Sequence, residues 1–339
     1  MGLKYSVQLH KLKFNKPAKT SRNLFVEKPH WVVKLWDNQN PKIIGIGEAA
    51  PLEFLSPDYD EALENIIESK LNQLVEGEKF ESLDFDEFPS VKFAIESAHL
   101  DLENGGKQIY FNSAYLKGKP IPINGLVWMN DLDEMLKEAV AKADLGFGCI
   151  KFKVGSHDFD AECRFLEQFR NTQQGKNVTI RLDVNGAFLA DEALEKLKEF
   201  SRFNVHSIEQ PIKAGDWDYM AKICKDSKIA IALDEELISI KLSERHNLLK
   251  HILPQYIIIK PTLLGGFKES DHWILLANKY KIGWWATSAL EANIGLNAIA
   301  QWVGKYNTIL PQGLGTGLLY QNNFEAKSEI KGGNLYFKK

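Results

Sequence analysis

Hydrophobic and polar positions follow two rhythms along this chain. In the first hundred residues, apolar side chains gather in segments near 3–14, 24–36 and 42–49. The second segment, with His30, Trp31, Val32, Val33, Leu35 and Trp36, is rich in the aromatic and β-branched residues that suit a pleated surface. Three strands are expected there, the first two joined by a polar loop over 16–23. Helical spacing takes over near 58–76 and 89–106. In the latter, Phe93, Ser97 and Leu100 fall on one face and Gly105-Gly106 supplies a stop. Strands followed by helices describe an α+β module.

Past residue 120 the rhythm changes. Short apolar runs recur at 121–127, 149–154, 179–184, 205–209, 229–234, 256–260 and 282–287, with helical stretches such as 191–200 and 268–280 between them. Such alternation implies parallel strands joined by crossover helices. Seven or eight units in about 190 residues predict an α/β fold of the (β/α) barrel type, somewhat short of the usual ~250 residues. An open doubly wound sheet is the alternative, but no Gly-x-Gly-x-x-Gly opens any unit.

Composition removes several function classes. With 339 residues, 44% hydrophobic and 26% charged, the chain has the make-up of a globular protein. Its 42 Lys+Arg against 45 Asp+Glu leave a net charge of −3, which argues against a nucleic-acid partner held by bulk positive charge. No apolar run nears the ~20 residues of a membrane span, so no membrane partner is expected. The first residues, MGLKYSVQLHKLKF, lack the apolar centre of a signal peptide. Cys149, Cys163 and Cys224 form no Cys-x-x-Cys pair, which suits a reducing compartment better than a disulfide framework or a structural zinc. A cytoplasmic protein is expected; the pattern leaves the oligomeric state open.

Charged residues at the ends of the apolar runs change the picture most. The runs finish in Ile150-Lys151-Phe152-Lys153, Leu182-Asp183, Ile208-Glu209, Leu233-Asp234 and Ile259-Lys260. Asp183, Glu209, Asp234 and Lys260 follow one another at 26, 25 and 26 residues, roughly one βα unit each. The carboxyl ends of barrel strands share one mouth, where barrel enzymes place their reacting groups. Three carboxylates converging there would repel one another unless a cation joined them. A hard ion such as Mg²⁺ suits an all-oxygen donor set, and Asp183, Glu209 and Asp234 are the expected ligands. Lys151 and Lys153, two apart on a strand, point to one side. Lysine that is buried or beside like charge sheds its proton more readily and can serve as a base. Lys260, four units later, reaches the mouth from the opposite wall. A cation between two lysines suits proton abstraction from the carbon next to a carboxylate.

Those residues, the Lys-x-Lys pair, the acidic series and Lys260, make the chain similar to the enolase superfamily, in its muconate-lactonising-enzyme-like subgroup. That resemblance implies a (β/α)7β modified TIM barrel over 119–312. It also implies an α+β capping domain over 1–118 and a C-terminal segment, 313–339, that returns to the cap. The motifs Gly47-Glu48-Ala49-Ala50-Pro51-Leu52, Thr287-Ser288-Ala289-Leu290-Glu291-Ala292-Asn293-Ile294-Gly295 and Pro311-Gln312-Gly313-Leu314-Gly315-Thr316-Gly317 resemble the o-succinylbenzoate synthase family of menaquinone biosynthesis. The implied reaction is the syn dehydration of 2-succinyl-6-hydroxy-2,4-cyclohexadiene-1-carboxylate, a small dicarboxylate, through an enediolate. Mg²⁺ is the implied cofactor, with Mn²⁺ able to substitute. Lys153 would be the base and then the acid, Lys260 would steady the developing charge, and Lys151 would tune Lys153.

Two alternatives stand beside this reading. One is an N-acylamino-acid racemase or dipeptide epimerase of the same subgroup, using the lysines as opposed bases. Such epimerases usually carry an Asp-x-Asp near the last barrel strand, where this chain reads Leu310-Pro311-Gln312-Gly313-Leu314. The other is a barrel that binds a ligand without turnover, which would not need an acid/base pair. For substrate contacts, the resemblance points to the capping loop, with Thr20, Ser21 and Arg22, and to Ser288, Glu291 and Gly315. Asn185, two residues past Asp183, is expected to orient a ligand. The glycine-rich stretches match no phosphate-binding motif, Trp284-Trp285 is expected to pack, and the histidines show no paired spacing.

Overall fold

The computed structural model describes residues 2–19 and 24–338. Its first three strands, β1 (Leu3–Lys19), β2 (Leu24–Asp37) and β3 (Asn40–Ala49), form an antiparallel sheet in sequence order. Pairing of β1 with β2 runs from Leu3↔Asp37 to Lys13↔Glu27, shifts register, and resumes at Ala18↔Phe25 and Lys19↔Leu24. Residues 16–19, expected in a loop, therefore belong to a strand. The irregularity absorbs their polar pattern, as bulges do. Thr20, Ser21 and Arg22, the expected capping-loop contacts, lie outside the described residues.

Two helices, Leu63–Val75 and Pro89–Glu103, cover one face of this sheet. Trp31, Val33 and Leu35 alternate inward from β2 onto Leu63, Ile67, Ala94 and Ala98, the period-2 pattern meeting the helical one. Close approach here demands glycine: a Cβ on Gly47 would lie 1.9 Å from the Ala94 carbonyl oxygen.

The second unit begins with β4 (Ile121–Pro122) and β5 (Gly125–Val127). It continues with β6 (Cys149–Lys153), β7 (Thr179–Asp183), β8 (Val205–Glu209), β9 (Ala230–Leu233), β10 (Tyr256–Ile259) and β11 (Gly283–Ala286), and ends in β12 (Ser328–Lys331) and β13 (Asn334–Phe337). Strands β5 to β11 make one parallel sheet in sequence order, each followed by helix, and the sheet curls. Residues 312–313 take the eighth position. Gln312 N donates to Pro122 O at 2.8 Å and Gln312 O accepts from Asn124 N at 2.9 Å. On the other side, Gly313 N donates to Ala286 O at 2.8 Å and its carbonyl accepts from Ser288 N at 3.0 Å. The run 121–127, expected as one strand, is two: β4 pairs antiparallel with β13, and only β5 joins the parallel sheet.

The two units are stitched through helix ends. Helices Phe267–Lys279 and Asn293–Val303 have no side-chain cap of their own. Glu96, from the Pro89–Glu103 helix, accepts from Phe267 N at 2.7 Å and Lys268 N at 3.1 Å. Glu48, at the end of β3, accepts from Ala292 N and Gly295 N, both at 2.7 Å. A carboxylate at a helix N-terminus satisfies orphan amides and meets the positive end of the dipole. His30 Nδ1 bonds the same Glu48 at 2.6 Å. Burial, with Lys28 nearby, holds the His30 pKa down to about 4, so a neutral imidazole donates to the carboxylate. The C-terminal segment touches the first unit, where Asn15 N donates to Leu319 O at 2.7 Å and Gln321 N to Lys13 O at 2.8 Å. It then crosses to β4.

Candidate active site

Parallel register aligns the strand ends that carry charge. Lys153 on β6 is paired with Asp183 on β7, and Asp183 with Glu209 on β8. Asp234 directly follows β9 and Lys260 directly follows β10. All six side chains, with Lys151, are buried, yet Lys151, Lys153 and Lys260 line a cavity of about 750 Å³. The apolar runs end in charge because this end of the barrel opens into that cavity.

The charges neutralise one another locally. Lys151 Nζ donates to Asp183 Oδ2 at 2.9 Å and to Glu209 Oε2 at 3.0 Å. Lys153 Nζ donates to the same Asp183 Oδ2 at 2.5 Å and to Asn185 Oδ1 at 2.8 Å. From the opposite wall, Lys260 pairs with Asp234 and stands 4.0 Å from Glu209 Oε1. Burial alone would push Lys151 and Lys260 down, but Asp183 and Glu209 hold the first above its ordinary pKa, and Asp234 and Glu209 the second. Both are therefore ammonium groups. Burial would raise Asp183, and the three lysines overcome it and keep it well below the usual range. Glu209 goes the other way, up to about 7, through burial and the neighbouring Asp183.

The donor set fits a hard cation. Every candidate ligand atom is carboxylate oxygen, and Glu209 Oε1 is a buried oxygen with no hydrogen-bond partner among the described residues. As the lysines stand, no three acidic, His or Cys groups among the described residues form a ready cradle for an ion. Asp183 pairs with Lys151 and Lys153 and Asp234 with Lys260; together with Glu209 these are the carboxylates that would hold the ion.

Other expected contacts separate. Asn185 lines the cavity, held at φ 51°, and also donates to Glu235 Oε1 at 3.2 Å. Gly315 and Ser288 line the cavity too. Glu291 does not reach it. Its carboxylate is wholly buried, accepting from Thr262 Oγ1 and Ser288 Oγ, both at 2.5 Å, and from Ala289 N at 2.9 Å. It holds the loop after β11 rather than a substrate, because the Ser288 hydroxyl proton already belongs to it.

Sequence reasoning missed Gln210, next to Glu209. Its Oε1 accepts from Asp234 N at 3.1 Å, and its Nε2 donates to Glu236 Oε2 and Ile212 O, both at 3.0 Å. It thus ties the ends of β8 and β9 together, at a positive φ of 41°. Strained backbone of this kind gathers where side chains must be aimed. Glu235 on the cavity wall and the buried Arg181, stacked 3.7 Å from the Trp285 ring, were missed as well. The polar pair Glu209-Gln210 before Pro211 was the available signal.

The fold is that of an enolase-type barrel, and residues 134–337 match the family model described as enolase C-terminal domain-like. The chain belongs to that family and is an enolase-superfamily enzyme. It is 40% identical to an o-succinylbenzoate synthase of Desulfotalea psychrophila, over 98% of this chain and 99% of the relative. The solved structure of MenC from Desulfotalea psychrophila LSv54 superposes with a TM-score of 0.88 at 38% identity, covering 99% of this chain and all of the other (100%). An L-Ala-D/L-Glu epimerase from Bacillus subtilis shares the fold, with a TM-score of 0.86, 20% identity and coverage of 99% and 96%.

Proposed function

We propose that this chain is an o-succinylbenzoate synthase, a hydro-lyase that removes water from 2-succinyl-6-hydroxy-2,4-cyclohexadiene-1-carboxylate. The observation that carries the reading is the pair of opposed lysines above three carboxylates, in a chain 40% identical to such a synthase over nearly its whole length. Asp183, Glu209 and Asp234 would hold Mg²⁺, which when bound polarises a substrate carboxylate and offsets its charge. Lys153 takes the proton from the carbon beside that carboxylate. It then returns the proton to the departing hydroxyl on the same face: a C–H and a C–O bond break, a ring double bond forms, and water leaves. The Lys260 ammonium, across the barrel, stabilises the negative charge that grows on the carboxylate oxygens. Lys151, kept charged by Asp183 and Glu209, maintains positive potential beside Lys153. The small dicarboxylate suits a pocket lined by Lys151, Lys153 and Lys260, and the three unpaired cysteines suit a cytoplasmic setting.

Incubation with Mg²⁺ and the cyclohexadiene substrate is expected to give the aromatic product. Lys153→Ala should lower kcat by ~10²–10⁴, the range for a lost general acid/base. Wild-type turnover in that variant would sink the mechanism. N-Acylamino acids in D₂O form the parallel arm, in which α-deuterium exchange faster than dehydration would favour the racemase.

A further inference from the structure

Side chains from the end of β6, the loop after β7 and the turn after β9 form a short chain over the mouth of the barrel. Lys153 Nζ donates to Asn185 Oδ1 at 2.8 Å, and Asn185 Nδ2 donates to Glu235 Oε1 at 3.2 Å. All three residues line the cavity, and Glu235 is only 8% exposed. The backbone under the chain is held. Asn185 sits in the left-handed region, which asparagine tolerates, and its N donates to Asp183 Oδ1 at 3.2 Å. Glu235 opens a 3₁₀ turn, Glu235–Leu237. The amides on either side of it, Asp234 N and Glu236 N, both donate to Gln210 Oε1, at 3.1 and 3.3 Å.

An amide side chain has a donor end and an acceptor end, and only one way round serves here. With Oδ1 toward Lys153 and Nδ2 toward Glu235, both contacts are hydrogen bonds. Turned over, the amide would set donor against donor at Lys153 and carbonyl oxygen against carboxylate oxygen at Glu235. Glu235 therefore decides which end of Asn185 the lysine meets.

That choice matters to a base. A neutral amine has two N–H donors and a lone pair, arranged tetrahedrally with the bond to its carbon. Lys153 has two acceptors, Asp183 Oδ2 at 2.5 Å and Asn185 Oδ1 at 2.8 Å. With both N–H groups so engaged, the remaining tetrahedral position is the lone pair, left over for a ligand in the cavity. Asp183 is an expected metal ligand and Asn185 is not, so the hold of Asn185 on Lys153 does not depend on what Asp183 binds. Resting on the reaction proposed above, we infer that Glu235 is a positioning residue: through Asn185 it fixes the direction in which Lys153 takes and returns the proton.

The test is a double-mutant cycle on the full chain with Mg²⁺, using Glu235→Leu, Asn185→Leu and the two together. Glu235→Leu should lower kcat for dehydration about tenfold to hundredfold, the scale of a misplaced reacting group, with KM and calorimetric Mg²⁺ affinity near wild type. Glu235→Ala takes its place if the leucine variant does not fold. Glu235→Gln, which keeps a carbonyl oxygen for Asn185, should recover most of the loss. In the Asn185→Leu background, Glu235→Leu should cost nothing more. Wild-type kcat in Glu235→Leu overturns the inference, as do additive losses, a failed rescue by glutamine, or a fall in Mg²⁺ affinity that accounts for the fall in kcat. Crystal structures give a readout that needs no substrate. Lys153 Nζ should leave Asn185 Oδ1 in Glu235→Leu, and an unmoved lysine overturns the positioning role. A wild type inactive on the cyclohexadiene, with Lys153 displaced in that crystal, would refute the dehydration and keep the link from Glu235 to Lys153.

Discussion

Asp183 Oδ2 accepts from Lys151 and Lys153 at once, and that shared oxygen sets the character of the site. It draws two lysine side chains of one strand to a single point, and burial strengthens such charge interactions. Lys151→Met should therefore leave Asp183 and Glu209 short of positive charge. A loss of ~3 kcal/mol in metal-free urea unfolding is expected, the scale for breaking a buried ion pair, and unchanged stability would show that the pair is not coupled in this way. Asp234→Ala should weaken Mg²⁺ binding in calorimetry; unchanged affinity would remove Asp234 from the ligand set. These residues were legible because lysine and aspartate interrupt apolar runs at one recurring interval. Gln210 was not, since an amide in a loop carries no such contrast.

Among the elements, two barrel helices take their N-caps from elsewhere in the chain. Burial raises Glu96 to about 7, against the amides of Phe267 and Lys268 and the charge of Lys92. A carboxyl raised in the folded state stabilises fully below its unfolded pKa near 4.5, and that contribution is lost as pH rises through 7. Wild type should lose on the order of 2 kcal/mol between pH 4.5 and 8 through this group. Glu96→Gln, followed by chemical denaturation across that range, should flatten this part of the profile; an unaltered slope would discount Glu96 as its source. Glu48→Gln should loosen the loop after β11, seen as faster amide exchange at Ala292 and Gly295. Of the two, the helix over 267–279 was legible from its periodicity, whereas 293–303 was not read as a helix. Their caps were not legible, because Gly266 and Ala292 at the cap positions carry no side-chain oxygen, and the partner lies far along the chain. The β4–β5 break was hidden for a related reason: 121–127 is apolar throughout, yet its two parts pair with different sheets.

For the whole molecule, alternation of strand and helix announced the barrel, while the place of its closure, near 310–314, came only from the family resemblance. Residues 310–314 show no apolar run, and their place is fixed by backbone bonds to β4–β5 on one side and β11 on the other. Removal of everything from residue 312 onward should leave the sheet open, with loss of cooperative unfolding by circular dichroism; a sharp transition in that variant would show that the closing pair is dispensable. The trans-capping carboxylates also impose a schedule on the growing chain. Glu48 emerges from the ribosome early but meets its amide partner at Ala292 across 244 residues. Contacts of such separation form late and slowly, and domains tend to fold as they are made. The first unit is thus born with a buried-type carboxylate facing water, and its final docking waits on nearly the last turn of the barrel.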